Sequence, residues 1–560
     1  MNALKKLFLV ALAAASLAGC SRKHDDAAAE PEAAAGNGAP PFVVLATTDL
    51  KDVQSLEKEA REATGVNLRF RFGGTMESTE AVLTGQANAQ AAWFANAKYL
   101  LSDAQGQSRV KMQEKLMWSP LAVGVSESAA KALGWDDPKV AANVTWKTIT
   151  QAAGDGKLYY AMSNPATSNQ GFMALMGVVA AAADKSEALT PEDVDRGAIA
   201  TFLKGYRLPG DNSSYLTERF TAQQGPRLNA FINYESWLMG MNASGKLREK
   251  LVLVYPREGV STADYPFMLL DDTRRDDYLK LTAWLKGKQA QTFLAQQTLR
   301  HPVNEDVAKA VSAQFAGNPM LVELPFSPNR QLADDLISAY LNEFRRPIAS
   351  TFVLDTSGSM GEDRRLQRLV EALDYVAGDD ASLTGRIARL TNREKIWMLS
   401  FSSSPNEPVL FEIPGAGKAG KAGKGVAAAT DSEAKSKAMA MAAVRDYAAT
   451  LHAHGGTALY DSILVALQNM AAEKEKHPEY QYSVVGFTDG ENTDGRDFEA
   501  FKAAHAALSE DARAIPVFMV LFGDAKESEL QGLVKVTGGR VFDARKTPLY
   551  AVFKDIRAFQ

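Results

Sequence analysis

Residues 42–75 read FVVLATTDLKDVQSLEKEAREATGVNLRFRFGGT. Phe42–Ala46 is a short apolar run of the kind that forms a buried strand. Val53, Leu56, Ala60 and Ala63 then recur at helical spacing, and Gly65 stops that helix. Val66–Phe72 alternates as a second strand and leads into Gly73-Gly74-Thr75, after which another helix and a strand-like stretch, Ala89–Phe94, follow. Strands and helices in alternation predict an α/β domain with a largely parallel sheet. Glycines let the backbone approach a ligand, and a helix N-terminus offers free N–H groups to negative charge.

Further along, Asn164-Pro165 and Thr167-Ser168-Asn169 precede Gly171-Phe172, another helix start with hydroxyls on offer. Facing each other across a cleft, the two loops would make a site for a small oxyanion or carboxylate. Gly74, Thr75, Asn164, Thr167 and Ser168 are its candidate residues. Plain helix capping accounts for each loop taken alone. Glu235 is a further candidate, as a ligand for a cationic group or as a surface charge.

Several segments carry a family resemblance in order and spacing. They are EATGVNLRFRFGGT (62–75), WKTIT (146–150), MSNPATSNQGF (162–172), NYES (233–236) and LVYPREG (253–259). Together they resemble the type 2 periplasmic solute-binding proteins of ABC transporters. The resemblance implies a two-lobed domain over residues 42–325 that binds a small-molecule solute.

A second apolar strand, Pro347–Leu354, runs straight into Asp355-Thr356-Ser357-Gly358-Ser359-Met360-Gly361. Strands are predicted at Lys395–Phe401, Gln481–Phe487, Ile515–Phe522 and Arg540–Phe542, with helices between them, including Leu459–Lys474 and Phe498–Leu508. This is a doubly wound, Rossmann-like pattern, in which sites lie at the carboxyl ends of the strands. Gly455-Gly456-Thr457 opens a helix, and Thr488-Asp489-Gly490 ends a strand. Carboxylates with hydroxyls form an all-oxygen shell that suits Mg²⁺, with Mn²⁺ or Ca²⁺ as alternatives, and does not suit Zn²⁺. Asp-x-Ser-x-Ser with the later Thr and Asp resembles the metal-ion-dependent adhesion site of von Willebrand factor A (VWA) domains. By that resemblance Ser357, Ser359 and Thr457 hold the metal directly or through water, with Asp355 and Asp489 often one water further out. A partner protein's acidic residue then completes the shell. Residues 347–560 are the implied VWA domain, and 326–346 a connector across which few contacts are expected.

The chain opens with Lys5-Lys6, an apolar run from Leu7 to Ala18, and Leu17-Ala18-Gly19-Cys20. The run is too short for a mature membrane helix and has the layout of an export signal. It resembles the lipobox of bacterial lipoproteins, which implies a signal peptide at 1–19 and lipidation of Cys20, the only cysteine. Ser21 leans toward the outer membrane. Residues 20–41 read as a tether with a reach on the order of 25 Å. The expected location is exported and lipid-anchored in the cell envelope. A net charge of −5 supplies no basic face for nucleic acid. The stretch GAGKAGKAGKG (415–425) reads as a surface insertion, with Lys418, Lys421 and Lys424 solvated.

No catalytic residue is expected. An aspartate phosphatase generally needs a second acid two residues after its nucleophile, and that position is Ser357. Neither a phosphate-binding loop, a Cys nucleophile nor a Gly-x-Ser-x-Gly elbow is present. The sequence therefore reads as an envelope lipoprotein that docks a partner through a Mg²⁺-dependent adhesion site. The alternative is a receptor for a small, anionic solute linked to transport or sensing. A metal-dependent hydrolase is the third reading.

Overall fold

In the computed structural model, the structure describes residues 40–560 except 186–188, 316–321, 325–329, 381, 416–430, 524–526, 546 and 548. The export signal, Cys20, most of the tether and Lys418, Lys421 and Lys424 lie outside the described residues. Pro41–Gln560 forms one compact unit.

The first sheet has the order Leu68–Gly73, Phe42–Thr47, Ala91–Trp93, Pro266–Leu269, Met112–Lys115. Its first three strands are parallel, and Pro266–Leu269 runs against both its neighbours. Thr47 pairs with Gly73, so the segments after both strands leave the sheet at one edge. The helix expected from Val53 is split. A 3-10 turn spans Thr48–Val53 and an α-helix spans Leu56–Thr64, closed by Gly65 in the left-handed region. Arg300 explains the split: its Nη2 donates to the Asp49 carbonyl at 2.7 Å and its Nη1 to Asp52 at 2.6 Å, which pins the turn.

The long strand Met117–Ser126 carries the chain into a second sheet. There it pairs with Ala230–Tyr234, Leu251–Val254, Thr262–Ala263 and His301–Pro302. Tyr160–Ala161 and Tyr206–Leu208 extend that sheet on the far side. The helix Asn169–Ala183 is apolar on nearly every face and lies in the core, which explains why its sequence shows little amphipathic pattern.

The third sheet has the order Val409–Ile413, Glu394–Phe401, Ile348–Asp355, Gln481–Thr488, Val517–Leu521, Val541–Asp543. All pairs are parallel except the Val409–Ile413 edge. The order grows outward in both directions from Ile348–Asp355, which makes the sheet doubly wound. Phe352 and Leu354 point into one core, Ala349 and Val353 into the other. Residues Asp355 and Thr488 end adjacent central strands, at the point where the winding reverses.

Contacts across the expected connector are many, not few. Leu332, Ala333, Leu336 and Ile337 of the helix Arg330–Ala339 sit in the core of the first two sheets. Just beyond, the buried carboxylate of Glu394 lies between Arg345 (2.8 Å) and Arg557 (2.9 Å). Burial, with the second guanidinium of Arg557 nearby, lowers Arg345 to about 10. The apolar spacing of 332–337 and this shared ion cluster lock the C-terminal sheet to the rest. Among the described residues no helix is long and apolar enough to cross a membrane.

Candidate functional site

Two groups of side chains stand at strand ends, and their hydrogen-bonding states differ. The first is spread over two lobes, one built on the first sheet and one on the second. Thr47 Oγ1, Asp49 Oδ2, Ser78 Oγ and Asn96 Nδ2 of the first lobe, and Thr167 Oγ1 of the second, are buried without a partner among the described residues. Thr47 ends a parallel strand, Asn96 follows the next one, and Ser78 sits in the helix Thr75–Thr84 that leaves the Gly73 edge. A Cβ at Gly73 would come within 2.9 Å of Ser78 Oγ, so a larger residue there would force that hydroxyl to move. An orphaned buried polar atom costs free energy, so each of them asks for a ligand or water.

The residues expected from sequence fare unequally. Gly74 caps the helix and nothing but Glu77 lies within 4 Å of its missing side chain, so the approach is open. Thr75 begins that helix, and its carbonyl accepts from Thr79 Oγ1 at 2.8 Å. Ser168 precedes the helix Asn169–Ala183 without capping it through its side chain. Its Oγ accepts instead from Ser163 Oγ at 2.9 Å. Asn164 is committed to structure: Oδ1 accepts from Ala166 N at 2.9 Å, and Nδ2 donates to the Arg557 and Ala558 carbonyls at 3.3 and 3.4 Å. Glu235 does not join this group. It is 2% exposed and accepts from Tyr255 OH at 2.5 Å, with His301 Nε2 also at 2.5 Å. His301 is itself stacked between Trp118 and Phe315. The surface-charge alternative for Glu235 is thereby corrected, since an apolar sandwich buries its partner.

A cavity of about 640 Å³ opens beside the lobe junction. Thr48 and Asp49 line it from the first lobe, Asn212 and Tyr215 from the second, and Lys535 and Arg540 from the C-terminal sheet. Tyr234, at the adjoining strand end, accepts from Asn169 Nδ2 at 2.8 Å. Burial raises its phenol, and the nearby Tyr265 and Asp49 add to that.

The second group crowns the C-terminal sheet. Asp355 is fully buried; its Oδ1 accepts from Ser357 N at 2.8 Å and its Oδ2 from Thr488 Oγ1 at 2.6 Å. Burial pushes its carboxyl up to about 6. Ser357 Oγ lies 3.1 Å from Ser359 Oγ, which donates to Asp489 Oδ1 at 2.9 Å. The Thr457 and Ser359 hydroxyls both border Gly490, at 3.8 and 3.6 Å from where a Cβ would stand. Asp355, Ser357, Ser359, Thr457 and Asp489 are thus gathered from three loops. Two carboxylates with three hydroxyls fit a hard divalent cation chemically. Among the described residues no three His, Cys, Asp or Glu side chains assemble as a metal-binding group. Sequence reading missed Arg365, whose Nη1 donates to Asp489 Oδ2 at 2.8 Å. No local pattern marks it. For Thr47 and Asp49 a signal did exist, a hydroxyl and a carboxylate directly after a buried strand.

Residues 43–300 match the family model of bacterial extracellular solute-binding proteins. That part of the chain is a solute-binding-protein-like domain. Solved structures similar to it include the sulfate-binding protein SubI from Mycobacterium tuberculosis, 15% identical, with a TM-score of 0.38, covering 51% of this chain and 94% of that one. The periplasmic binding protein AfuA from Actinobacillus pleuropneumoniae is 13% identical, with a TM-score of 0.41, covering 55% and 99%. An ABC-transporter substrate-binding protein from Agrobacterium tumefaciens is 15% identical, with a TM-score of 0.40, covering 55% and 94%. No curated protein matches the sequence.

Proposed function

We propose that this protein is an exported, lipid-anchored receptor that holds a small polar solute between its two lobes. The observation behind this reading is the set of buried atoms on Thr47, Asp49, Ser78, Asn96 and Thr167 that lack a partner among the described residues. Hydroxyl and amide donors beside an open helix N-terminus favour an oxyanion or carboxylate. The Asp49 carboxylate selects a solute that also carries a donor group. Calorimetric titration with sulfate, phosphate and small hydroxy-carboxylates is the first test. At least one should bind saturably, and Thr167→Val should weaken it; the absence of any heat across the panel counts against the reading.

A second reading is favoured by a separate observation, the convergence of five oxygen-bearing side chains at the end of the C-terminal sheet. We infer that Asp355, Ser357, Ser359, Thr457 and Asp489 would hold Mg²⁺, or Mn²⁺ or Ca²⁺, in a VWA-type site. The ion would supply an open coordination position to an acidic residue of a partner protein. Mg²⁺ should raise the melting temperature of the whole chain. Asp355→Ala should remove that rise, and an unchanged rise in the variant sinks this assignment.

A further inference from the structure

The contacts that hold the C-terminal sheet to the rest fall on both lobes. On the first, Lys554 of the last helix, Leu549–Arg557, reaches Glu77 at 2.5 Å, in the opening turn of the helix after Gly73-Gly74. Glu80, one turn on, accepts from Thr384 N at 3.0 Å. On the second lobe, Asn164 donates to the carbonyls of Arg557 and Ala558. The Tyr215 ring meets Phe559 edge-on at 4.6 Å, and Arg540 pairs with Asp211 at 3.0 Å. Arg219 of the second lobe is seated over Gly538, whose φ is +74°. A Cβ there would meet the guanidinium at 2.3 Å, so only glycine leaves that seat open.

We propose that the last helix and the residues after it form a gate on the interlobe cleft. Docked, the gate ties Glu77 on one lobe to Asn164 on the other, next to Gly74 and Thr167, and so fixes the separation of the lobes. A hinge motion that admits or releases solute must break one set of contacts. The gate helix is itself rooted in the C-terminal core through Val552, Phe553 and Ile556. The helix therefore stays with its sheet, and opening means that one lobe swings away from it. The two ion pairs at its rim, to Glu77 and Asp211, are each exposed on one side and individually contribute little, whereas the Asn164 and Phe559 contacts are buried. What passes the gate rests on the solute reading above; the gate itself does not.

The test needs no solute. In full-length protein carrying Cys20→Ser, Ser168→Cys places a single thiol beside Asn164. Its labelling by a small maleimide should be slow. Adding Glu77→Lys, which sets that position against Lys554, and Glu80→Lys, which removes the acceptor of Thr384, should speed labelling about tenfold, which corresponds to roughly 1.4 kcal/mol of lost docking. Equal rates overturn the gate. If the double change prevents folding, Arg540→Glu breaks the half-exposed link on the other lobe, and it too must speed labelling. A solute panel that finds no ligand sinks the solute reading and leaves these labelling rates unchanged.

Discussion

The lobe junction and the crown of the C-terminal sheet are both polar clusters at strand ends, yet they treat their polar atoms in opposite ways. At the crown both carboxylates are served: Thr488 and Ser357 serve Asp355, and Ser359 and Arg365 serve Asp489. At the junction, hydroxyls and an amide are buried with nothing to bond among the described residues. A satisfied network adds stability, while an unsatisfied one subtracts it until a ligand arrives. Asp489 at the crown is already paired with Arg365, so a cation placed there would compete with that guanidinium.

The largest expected effect concerns what joins the two regions. Glu394→Ala strands two buried guanidiniums, Arg345 and Arg557, and should cost about 3–5 kcal/mol in chemical denaturation. Wild type should unfold in one transition. Two resolved transitions would mean that the regions can be compared only as separate bodies. Next, Arg365→Met removes the internal cation from Asp489. In the variant, Mg²⁺ at a hundred times its dissociation constant should add about 2.7 kcal/mol, the full mass-action term. A smaller melting-temperature rise than in wild type would show that Arg365 does not compete with the ion.

Two isosteric changes then probe the contrast more finely. Thr488→Val strips a donor from the buried Asp355 carboxylate and should destabilise the chain by about 1–3 kcal/mol. Thr47→Val removes a hydroxyl that bonds nothing among the described residues and should stabilise the solute-free chain by about 1 kcal/mol, because an orphaned buried group is deleted. Equal signs for the two variants would erase the distinction between the clusters.

Much of this was legible in sequence, for physical reasons that differ by region. The strands Phe42–Thr47 and Ile348–Asp355 are mostly apolar because both their faces are buried, and such runs announce a parallel sheet. Thr457 and Asp489, on distant loops, were read only through the resemblance to the adhesion site, while Asp355, Ser357 and Ser359 stood out because they share one short loop after a strand. The Glu235 cluster did not, since Tyr255 and His301 come from distant segments, and no spacing in the chain reports a contact 66 residues away. Arg365 and the gate were hidden for the same reason. The connector was misjudged because proline and serine near 325–329 outweighed the apolar stripe Leu332, Leu336 and Ile337 that binds it to the core.

Whether the lobe junction holds a solute can be tested without a guess at the solute. Wild-type protein and the Thr47→Val, Thr167→Val double variant are purified side by side from cell envelopes, denatured, and the small molecules released are quantified by mass spectrometry. A polar small molecule should appear at near-stoichiometric amount from wild type, and little of it from the variant. Release of nothing from wild type, or of equal amounts from both, would refute the solute site.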